Sequence, residues 1–445
     1  MDHGKERSVV TSDATATAGR RGAAATVRER LLGYRWTICA LLFFATTINY
    51  MDRQVLGILA PVLQRDIGWS ETQYGDIVSW FSLAYGFGFL AMGRLLDRIG
   101  VRRGFAISIV AWSLAAMAHA LARTAGGFAV ARAFLGLGES GNFPGSIKAI
   151  AEWFPKKERA LATGIFNAGS NVGAILAPLT VPFIALKWGW QAAFITVGAL
   201  GFIWLIFWLA VYRQPQGHPK VTAKELAHIE SDPIEPTTPI PWLRLLGYRQ
   251  TWAFLIAKGM TDPIWWFYLY WLPKFLDANW GIKLAQVALP LIVIYVVADV
   301  GSVFGGWLSS ALIKRGWSVN AGRKTALLVA ALLILPTMFA PHARSMWLAV
   351  SIVAVAAASH QWWSANIFTT ASDMFPRRAV ASIVGIGGFA GAMGGLAFQR
   401  ATGRILDANG NDYGVVFAIC GLAYVTALLI LHLLAPRLTP AAIDA

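Results

Sequence analysis

The sequence is poor in charge and in cysteine. Asp, Glu, Lys and Arg make up only 14% of its 445 residues, whereas a soluble domain usually contains about 25%. So few charges cannot cover the surface of a soluble protein of this length. The two cysteines, Cys39 and Cys420, lie in apolar segments, which argues against a disulfide framework or a zinc site. The seven histidines are scattered, so we expect no metal cluster, no cofactor and no nucleophile–base set of the kind an enzyme needs.

Apolar residues, by contrast, are abundant and come in long stretches. They make up 56% of the chain, and roughly 20 apolar residues are enough for a helix to cross the hydrocarbon core of a bilayer. The sequence predicts twelve such helices, of which the ninth is the shortest. Their predicted bounds are 36–59, 72–93, 104–122, 127–151, 160–186, 191–212, 251–276, 287–312, 325–340, 346–370, 380–405 and 413–434.

The positive charges lie in the connections between these stretches. The formal net charge is +15, and lysine and arginine cluster in the N-terminal segment and after the even-numbered helices. This pattern follows the positive-inside rule, so it favours a membrane protein with both termini in the cytoplasm over a nucleic-acid-binding protein. Residues 1–34 lack the apolar core of a signal peptide and are predicted to form a disordered cytoplasmic tail. Residues 436–445 are predicted to form a cytoplasmic C-terminal tail.

The two halves of the chain show a weak internal repeat. Phe-Pro-Lys-Lys at 154–157 precedes the fifth helix, and Phe-Pro-Arg-Arg at 375–378 precedes the eleventh, 221 residues later. Two pairs of glycines keep the same spacing, namely Gly164 with Gly385 and Gly173 with Gly394. Parallel repeats of six helices are one way in which twelve-helix membrane proteins are built.

This repeat predicts an all-α membrane protein with twelve transmembrane helices in two pseudo-symmetric six-helix bundles. The N-terminal bundle is expected at residues 35–212 and the C-terminal bundle at residues 251–435. A proline-rich cytoplasmic linker at 213–250 connects them, and it is predicted to contain a short amphipathic helix around Ala223–Ile229.

Several charged residues fall inside the predicted helices. A lipid-facing charge costs on the order of several kcal/mol, so such residues usually line a cavity or pair with each other. Asp52 and Arg53 in helix 1 point about 100° apart, so each needs a partner elsewhere, whereas Arg132 and Glu139 share one face of helix 4. We interpret Asp52 and Glu139 as proton-carrying carboxylates and Arg53 as the group that holds a substrate anion. The alternative is a static ion network.

Hydroxyl, amide and aromatic side chains in the helices predict a site for a polyhydroxylated ligand such as a sugar. The candidates are Tyr50, Tyr85, Asn167, Ser170, Asn171, Trp265, Trp266, Tyr268, His360, Gln361, Trp363 and Asn366. The alternatives are ordinary packing of the tyrosines, hydrogen bonds between helices for the amides, and anchoring of the tryptophans at the membrane interface. His360 follows Glu139 by 221 residues, so the repeat places both at equivalent positions.

Two further patterns involve charge. Lys258 and Asp262 are one helical turn apart in helix 7 and are predicted to form an intramembrane ion pair. The connection between helices 2 and 3 combines turn-forming glycines, one acid and several arginines, which predicts an ion lock at a cytoplasmic gate rather than a plain basic loop. Its residues are Gly93, Asp97, Arg98, Gly100, Arg102 and Arg103.

That connection resembles the signature G-x-L-x-D-R-x-G-x-R-R of the major facilitator superfamily. Within the superfamily, Tyr-Met-Asp-Arg at 50–53 and Trp-Phe-Pro-x-x-Glu-Arg-Ala at 153–160 resemble the anion:cation symporter family. Three other segments are similar to bacterial hexuronate transporters, namely residues 166–170, 267–273 and 360–375. The resemblance spans roughly residues 35–435.

The resemblance implies proton symport of organic anions, with Asp52 and Glu139 as coupling sites. Arg53, Arg132 and Tyr85 match an arginine of the first helix, an arginine of the fourth and a tyrosine of the second, and we expect all three to bind the substrate. Ser170 departs from the glutamine of some sugar-acid relatives. The signature of drug antiporters is missing from residues 173–178, which favours uptake over drug efflux.

We therefore expect proton-coupled uptake of an organic anion, with an aldohexuronate such as glucuronate or galacturonate as the first candidate. Galactonate, tartrate, phthalate or another aromatic acid are alternatives with the same fold. A transport-like membrane sensor or a membrane enzyme is a further alternative, although no segment is large enough for a soluble output domain. The expected protein is a monomer in the bacterial inner membrane whose partners are the anion, protons and lipid, with no nucleic acid.

Overall fold

The computed structural model describes residues 33–231 and 240–442, and all regular secondary structure in these ranges is helical. The predicted N-terminal tail lies outside the described residues except for its last two, and so does the centre of the predicted linker. Seven helical residues are described by their backbone alone, namely Asp97, Lys156, Lys157, Ala160, Arg377, Arg378 and Ala381. The predicted fold class is confirmed.

The N-terminal bundle makes six crossings of the membrane. Its first helix, α1, is Arg35–Ile67. The helix Glu71–Ala118 breaks at Gly100, where φ is 79° and ψ is 161°, and its two arms are α2 (Glu71–Leu96) and α3 (Arg98–Leu121). The remaining segments are α4 (Ala125–Glu139) and α5 (Asn142–Trp153), which share one crossing, then α6 (Lys156–Trp188) and α7 (Trp190–Val211).

Two short helices lie in the linker. The predicted helix is present as α8 (Ala223–Ile229), and α9 (Trp242–Leu245) follows it. The first of them is held against the N-terminal bundle, because Glu225 accepts a hydrogen bond of 3.1 Å from the backbone of Arg35. His228 Nε2 also lies 2.9 Å from Glu158 Oε1.

The C-terminal bundle makes the other six crossings. Its helices are α10 (Arg249–Trp280), α11 (Ala288–Lys314), α12 (Val319–Ile334), α13 (Met346–Met374), α14 (Arg377–Ala408) and α15 (Gly414–Leu434). A 3₁₀ helix, Leu335–His342, extends α12. The ninth crossing begins earlier than predicted, because Ser318 caps the helix by accepting a 3.2 Å hydrogen bond from the backbone of Ala321. The twelve predicted crossings are confirmed.

The crossings fall into two groups. Within the described residues, eight are long and apolar enough to be recognised as membrane spans by composition. The other four are the first, fourth, seventh and tenth crossings, formed by α1, α4–α5, α10 and α13. Each of these four carries buried charged or imidazole side chains, including Asp52, Arg53, Glu139, Lys258 and His360. The weakest hydropathy signals therefore mark the helices that supply the candidate site.

The two bundles approach each other closely along α1–α10 and α2–α14. A Cβ atom on Gly57 of α1 would lie 2.6 Å from the carbonyl oxygen of Leu269 in α10. One on Gly75 of α2 would lie 2.6 Å from the carbonyl oxygen of Gln399 in α14. Only glycine permits backbones this close, so the two crossings fix how the bundles meet.

Polar contacts between the bundles cluster at the end of the molecule where α1 and α10 terminate. Lys274 of α10 contacts the side chains of Gln64 and Glu71. Asp407 of α14 accepts hydrogen bonds of 3.0 and 2.7 Å from the backbone of Glu71 and Thr72. We call Gln64, Glu71, Lys274 and Asp407 the end cluster. Nearby, Arg400 and Asp76 form a 3.0 Å ion pair between α14 and α2. These contacts close the bundles on this side.

Candidate functional site

An arginine–glutamate pair lies at the centre of the N-terminal bundle. Arg53 of α1 donates from Nε and Nη2 to Glu139 Oε2 of α4, at 2.9 and 2.7 Å. The side chains are 3% and 0% exposed. Two charge-assisted hydrogen bonds are the kind of compensation that a buried ion pair requires. A carboxylate from outside could replace Glu139 at the same guanidinium.

Aromatic rings enclose this guanidinium. The Cζ atom of Arg53 lies 4.9 Å from the ring centres of Tyr50 and Phe81 and 5.0 Å from that of Tyr85. Ring faces attract a cation that has been taken out of water. Tyr50 and Tyr85 are partly exposed, whereas Phe81 is buried. The tyrosines therefore lie between Arg53 and the space from which a ligand would come.

Arg132 binds the backbone of Arg53 and so supports this centre. Its Nη2 donates a 2.9 Å hydrogen bond to the backbone carbonyl of Arg53. Its Cζ lies 5.1 Å from the ring centres of Phe81 and Tyr270. Because Arg132 is fully buried and binds the backbone of α1, its geometry suits positioning of Arg53 better than direct contact with a ligand.

Asp52 lies next to Arg53 in sequence but contacts none of these arginines through a hydrogen bond. Its side chain is buried, and within the described part of the chain neither carboxylate oxygen has a hydrogen-bond partner. A buried ionised carboxylate without partners is costly. The arrangement therefore supplies one paired acid, Glu139, and one unpaired acid, Asp52, on neighbouring helices.

The two adjacent tryptophans of α10 point in different directions. Trp266 meets the N-terminal bundle, with its ring 6.2 Å from that of Tyr85 at an interplanar angle of 90°. Trp265 instead stacks on His360 of α13, with ring centres 5.3 Å apart and an angle of 9°. His360 Nδ1 lies 2.6 Å from the hydroxyl oxygen of Tyr424. Trp266 therefore borders the arginine centre, and Trp265 and His360 form a buried stack inside the C-terminal bundle.

Three other predicted ligand residues also lie inside the C-terminal bundle. Tyr268 and Trp363 are fully buried, and Trp363 packs 5.4 Å from Tyr424. Asn366 Nδ2 donates 3.0 Å hydrogen bonds to the carbonyls of Gly305 and Trp362. For Asn366 the geometry matches the alternative of an amide that joins helices. Gln361 is partly exposed on the same helix.

Helix α6, which carries three predicted ligand residues, packs on α1 beside Tyr50. A Cβ atom on Gly173 would lie 2.9 Å from Tyr50 Cβ, so α6 packs directly on α1 here. Asn167 is exposed and Asn171 partly exposed. Ser170 is buried, and its hydroxyl donates a 2.6 Å hydrogen bond to the carbonyl of Asn167. Of the three predicted ligand residues of α6, the two asparagines are therefore the ones that are not buried.

Lys258 and Asp262 contact each other within α10. Lys258 Nζ lies 2.8 Å from Asp262 Oδ2 and 4.0 Å from the ring centre of Phe368. The pair is one turn of helix from Trp266, so it belongs to the same region of the C-terminal bundle.

The predicted gate motif lies at the other end of α2. Gly100 has a φ of 79°, an angle that glycine adopts far more easily than other residues. The chain therefore turns at Gly100, as predicted. Gly93 is helical. Arg102 Nη2 donates to the carbonyl of Leu209 in α7 at 2.5 Å, while Arg98 and Arg103 are exposed. The side chain of Asp97 lies outside the described part of the structure, so the ion lock stays a prediction.

Sequence reasoning missed the end cluster and two of the rings around the arginines. Lys274 is a charge inside predicted helix 7 and could have been noticed there. Glu71 lies at a predicted helix start, where acids are ordinary, and Phe81 and Tyr270 look like any apolar core residue. Among residues 33–231 and 240–442, no group of three His, Cys, Asp or Glu side chains could hold a metal ion.

Comparison with known proteins agrees with this architecture. Residues 42–399 match the family model of the Major Facilitator Superfamily. The chain is 31% identical to the hexuronate transporter of Escherichia coli (strain K12) over 398 residues, which cover 88% of this chain and 91% of that protein. It is 32% identical to the galacturonate transporter of Dickeya chrysanthemi over 314 residues, 69% of this chain and 90% of that protein.

Solved structures of other transporters share the fold. A D-xylose-proton symporter superposes with a TM-score of 0.71 at 17% identity and covers 90% of this chain and 97% of its own. A bacterial homologue of the human lysosomal transporter Spinster superposes with a TM-score of 0.68 at 20% identity, covering 91% and 96%. With the family model matching most of the sequence, the chain belongs to the Major Facilitator Superfamily, and it is a membrane-spanning transporter rather than an enzyme.

Proposed function

We propose that this transporter takes up an aldohexuronate anion together with protons by alternating access. The observation that carries the proposal is the buried Arg53–Glu139 pair with the unpaired Asp52 beside it. One guanidinium offers a binding place for a carboxylate, and two carboxyl groups offer places for protons. All three lie at the depth where two bundles meet.

The coupling follows from competition for Arg53. A substrate carboxylate that binds the guanidinium displaces Glu139, because both ligands use the same donors. The displaced Glu139 is buried and has lost its counter-charge, so it binds a proton. Substrate and proton therefore bind together and leave together, which is the requirement for symport. Asp52, whose carboxylate oxygens have no hydrogen-bond partner among the described residues, is the second proton site in this proposal.

The hydroxyl groups of the sugar acid would be recognised by the side chains around Arg53. Tyr50 and Tyr85 lie beside the guanidinium, Trp266 borders Tyr85, and α6, which carries Asn167 and Asn171, packs on α1 beside Tyr50. These groups provide ring faces and hydrogen-bonding atoms for a polyhydroxylated molecule. Arg132 positions Arg53, and His360 and Trp265 provide a rigid wall for Trp266.

Access to this site would come from the side opposite the end cluster. With the termini in the cytoplasm, as the charge distribution predicts, the closed side faces the periplasm and the state described here faces inward. The other state requires the contacts of Lys274 and Asp407 with the N-terminal bundle to open and the ends of α2 and α14 to separate.

Stoichiometry has an electrical consequence. A monovalent anion carried with one proton moves no net charge, so only the pH gradient drives its uptake. A second proton adds one charge, which is worth about 2.3 kcal/mol per 100 mV of membrane potential. Because the proposed site has two candidate carboxyl groups, Asp52 and Glu139, we favour uptake of the anion with two protons.

Similarity to named relatives supports a hexuronate as substrate. The relatives named for hexuronate and galacturonate are 31% and 32% identical to this chain, and one named a probable L-galactonate transporter is 28% identical. A probable galactarate/D-glucarate transporter of Bacillus subtilis is also 28% identical. Specificity therefore includes a choice between acids with one carboxylate and acids with two.

Uptake of labelled galacturonate into proteoliposomes under a proton gradient tests the proposal. We expect accumulation by the wild type and a loss of at least about 100-fold in binding for Arg53→Ala, because charge-assisted carboxylate contacts carry about 3 kcal/mol or more when buried. Arg315→Ala, which alters an exposed arginine at the end of α11, is the matched control. Unchanged affinity of Arg53→Ala would refute the assigned anion site.

A further inference from the structure

The Lys258–Asp262 pair has no part in the mechanism above, yet it lies within the bundle. Its atoms are 2.8 Å apart, and the side chains are 4% and 22% exposed. An ion pair in such a place adds little stability compared with well-packed apolar residues. Charged side chains within membrane helices usually serve binding or transport instead.

The pair belongs to a stripe of residues along α10, and the other end of this stripe meets the N-terminal bundle. Lys258, Asp262, Trp266 and Tyr270 recur every four residues on α10, so successive members are about 6 Å apart along one face. Tyr270 contacts Arg132, and Trp266 contacts Tyr85. The stripe therefore leads from the arginine centre past Trp266 to the ion pair.

Helix α14 holds these side chains in place with glycines at the same spacing. A Cβ atom on Gly391 would lie 2.5 Å from Asp262 Oδ2, and one on Gly395 would lie 2.6 Å from Trp266 Cε3. A Cβ atom on Gly387 would lie 3.1 Å from Lys258 Cδ. The backbone of α14 thus packs directly against the stripe, which fixes the position of the Asp262 carboxylate.

We propose that the Lys258–Asp262 pair contacts the end of the substrate that is distal to Arg53 and selects sugar acids with one carboxylate over those with two. This inference rests on the proposed function. A six-carbon acid bound through its carboxylate at Arg53 reaches past Trp266, where Asp262 accepts hydrogen bonds from its hydroxyl groups. A second carboxylate at that end is repelled by the like charge of Asp262. It gains little from Lys258, because Lys258 is already paired with Asp262.

This selection works by rejection. Specific sites often exclude the wrong ligand with a repulsive charge as well as binding the right one. The Asp262 carboxylate accepts hydrogen bonds from hydroxyl groups and repels a second carboxylate. Removing the charge of Asp262 alone converts the same place into a cation that attracts a second carboxylate.

Binding of galacturonate and galactarate tests the inference. Both acids have the same six carbons and the same hydroxyl configuration, but galacturonate has one carboxylate and closes into a ring, whereas galactarate has two and stays open. The change of the affinity ratio between wild type and variant therefore isolates the contribution of Asp262. Affinities are measured by calorimetry on the full chain in lipid nanodiscs. We expect the wild type to prefer galacturonate by at least about tenfold, or 1.4 kcal/mol. In Asp262→Asn, the ratio of affinities should shift toward galactarate by at least about tenfold. Asp299→Asn, a partly exposed acid of α11, is the control and should change neither affinity.

The double variant Lys258→Gln/Asp262→Asn guards against misfolding of the single one, since it leaves no unpaired charge. It should lose most of the wild-type discrimination without gaining a preference for galactarate. The inference is wrong if the wild type binds galactarate as tightly as galacturonate, or if the variants keep the wild-type ratio. Failure of the proposed function is distinct, because the wild type would then bind neither acid or Arg53→Ala would bind both normally.

Discussion

The two bundles share a repeat but differ in chemistry at its centre. In the N-terminal bundle, Arg53 and Glu139 form a buried ion pair. The residue at the position of Glu139 in the C-terminal bundle is His360, which stacks on Trp265 and contacts the hydroxyl of Tyr424. One bundle thus carries charge at its centre, and the other carries rings and neutral hydrogen bonds.

The same contrast holds for the first helix of each bundle. Gly68 and Gly281 both end their helices in the left-handed region, with φ of 80° and 63°, and they are 213 residues apart. Counting back from them places Trp265 and Trp266 where Asp52 and Arg53 lie. An acid and a base in one bundle therefore correspond to two tryptophans in the other. The repeat therefore fixes the backbone. Our proposal assigns proton coupling to the N-terminal bundle, the coupling half, and contact with the distal end of the substrate to the C-terminal bundle, the recognition half.

The largest effect is expected for the acids of the coupling half. Asp52→Asn and Glu139→Gln should each abolish uphill accumulation of galacturonate, because a neutral amide cannot carry a proton. Exchange of internal for external substrate at equal pH should persist in Glu139→Gln, since Arg53 still binds the anion. Labelled uptake and counterflow in proteoliposomes separate the two activities. Full accumulation by both variants would show that neither acid is needed for proton coupling, and the assignment of coupling to the N-terminal bundle would be wrong.

A smaller effect is expected where the two halves meet, at the end cluster. Lys274→Ala leaves Glu71 buried without its counter-charge, and breaking a buried ion pair costs about 3–5 kcal/mol. The closed arrangement should therefore lose population to the state that is open on this side. In a variant without native cysteines, Ser79→Cys at the α2–α14 contact reports this as faster labelling by an impermeant maleimide, by at least about tenfold.

Lys283→Ala is the matched control for that measurement, because Lys283 is an exposed lysine on the same side of the molecule. It should leave the labelling rate unchanged. Equal labelling of the wild type and Lys274→Ala would show that the end cluster does not hold the bundles closed.

The smallest effect is expected in the C-terminal centre. His360→Phe keeps a ring against Trp265 but removes the contact with Tyr424, and loss of a buried hydrogen bond costs about 1–3 kcal/mol. Thermal unfolding should shift down accordingly, while proton-driven accumulation per folded protein stays near the wild-type level. Tyr424→Phe removes the other partner and should behave alike. Loss of coupling in folded His360→Phe would place a proton site in the recognition half.

Much of the fold could be predicted from the sequence. Twelve apolar stretches, the break at Gly100 and the linker helix Ala223–Ile229 follow from local patterns, because helix formation in a membrane depends on length and hydropathy. The repeat spacing also predicts that His360 has the same position in the C-terminal bundle as Glu139 has in the N-terminal bundle. The family assignment rests on motifs that are contiguous in the sequence, so it too needed no tertiary information.

The pairing of side chains could not be predicted in the same way. The partner of Arg53 lies 86 residues away, and only the packing of α1 against α4 decides that Glu139, rather than Asp52, is paired. Trp265 and Trp266 are neighbours in sequence, and the rotation of α10 alone decides which of them borders the arginine. The role of Asn366 could not be predicted either. Its amide joins two helices, and the sequence alone does not distinguish this role from ligand binding.

Proton exchange on substrate binding tests the central claim most directly. Galacturonate is added at neutral pH to the purified protein in weak buffer with a pH indicator. If the substrate displaces Glu139 from Arg53, the wild type takes up protons from solution when it binds galacturonate. Glu139→Gln should bind galacturonate without the proton uptake that Glu139 provides. Binding by the wild type without proton uptake, or equal uptake by Glu139→Gln, would contradict coupling at this pair.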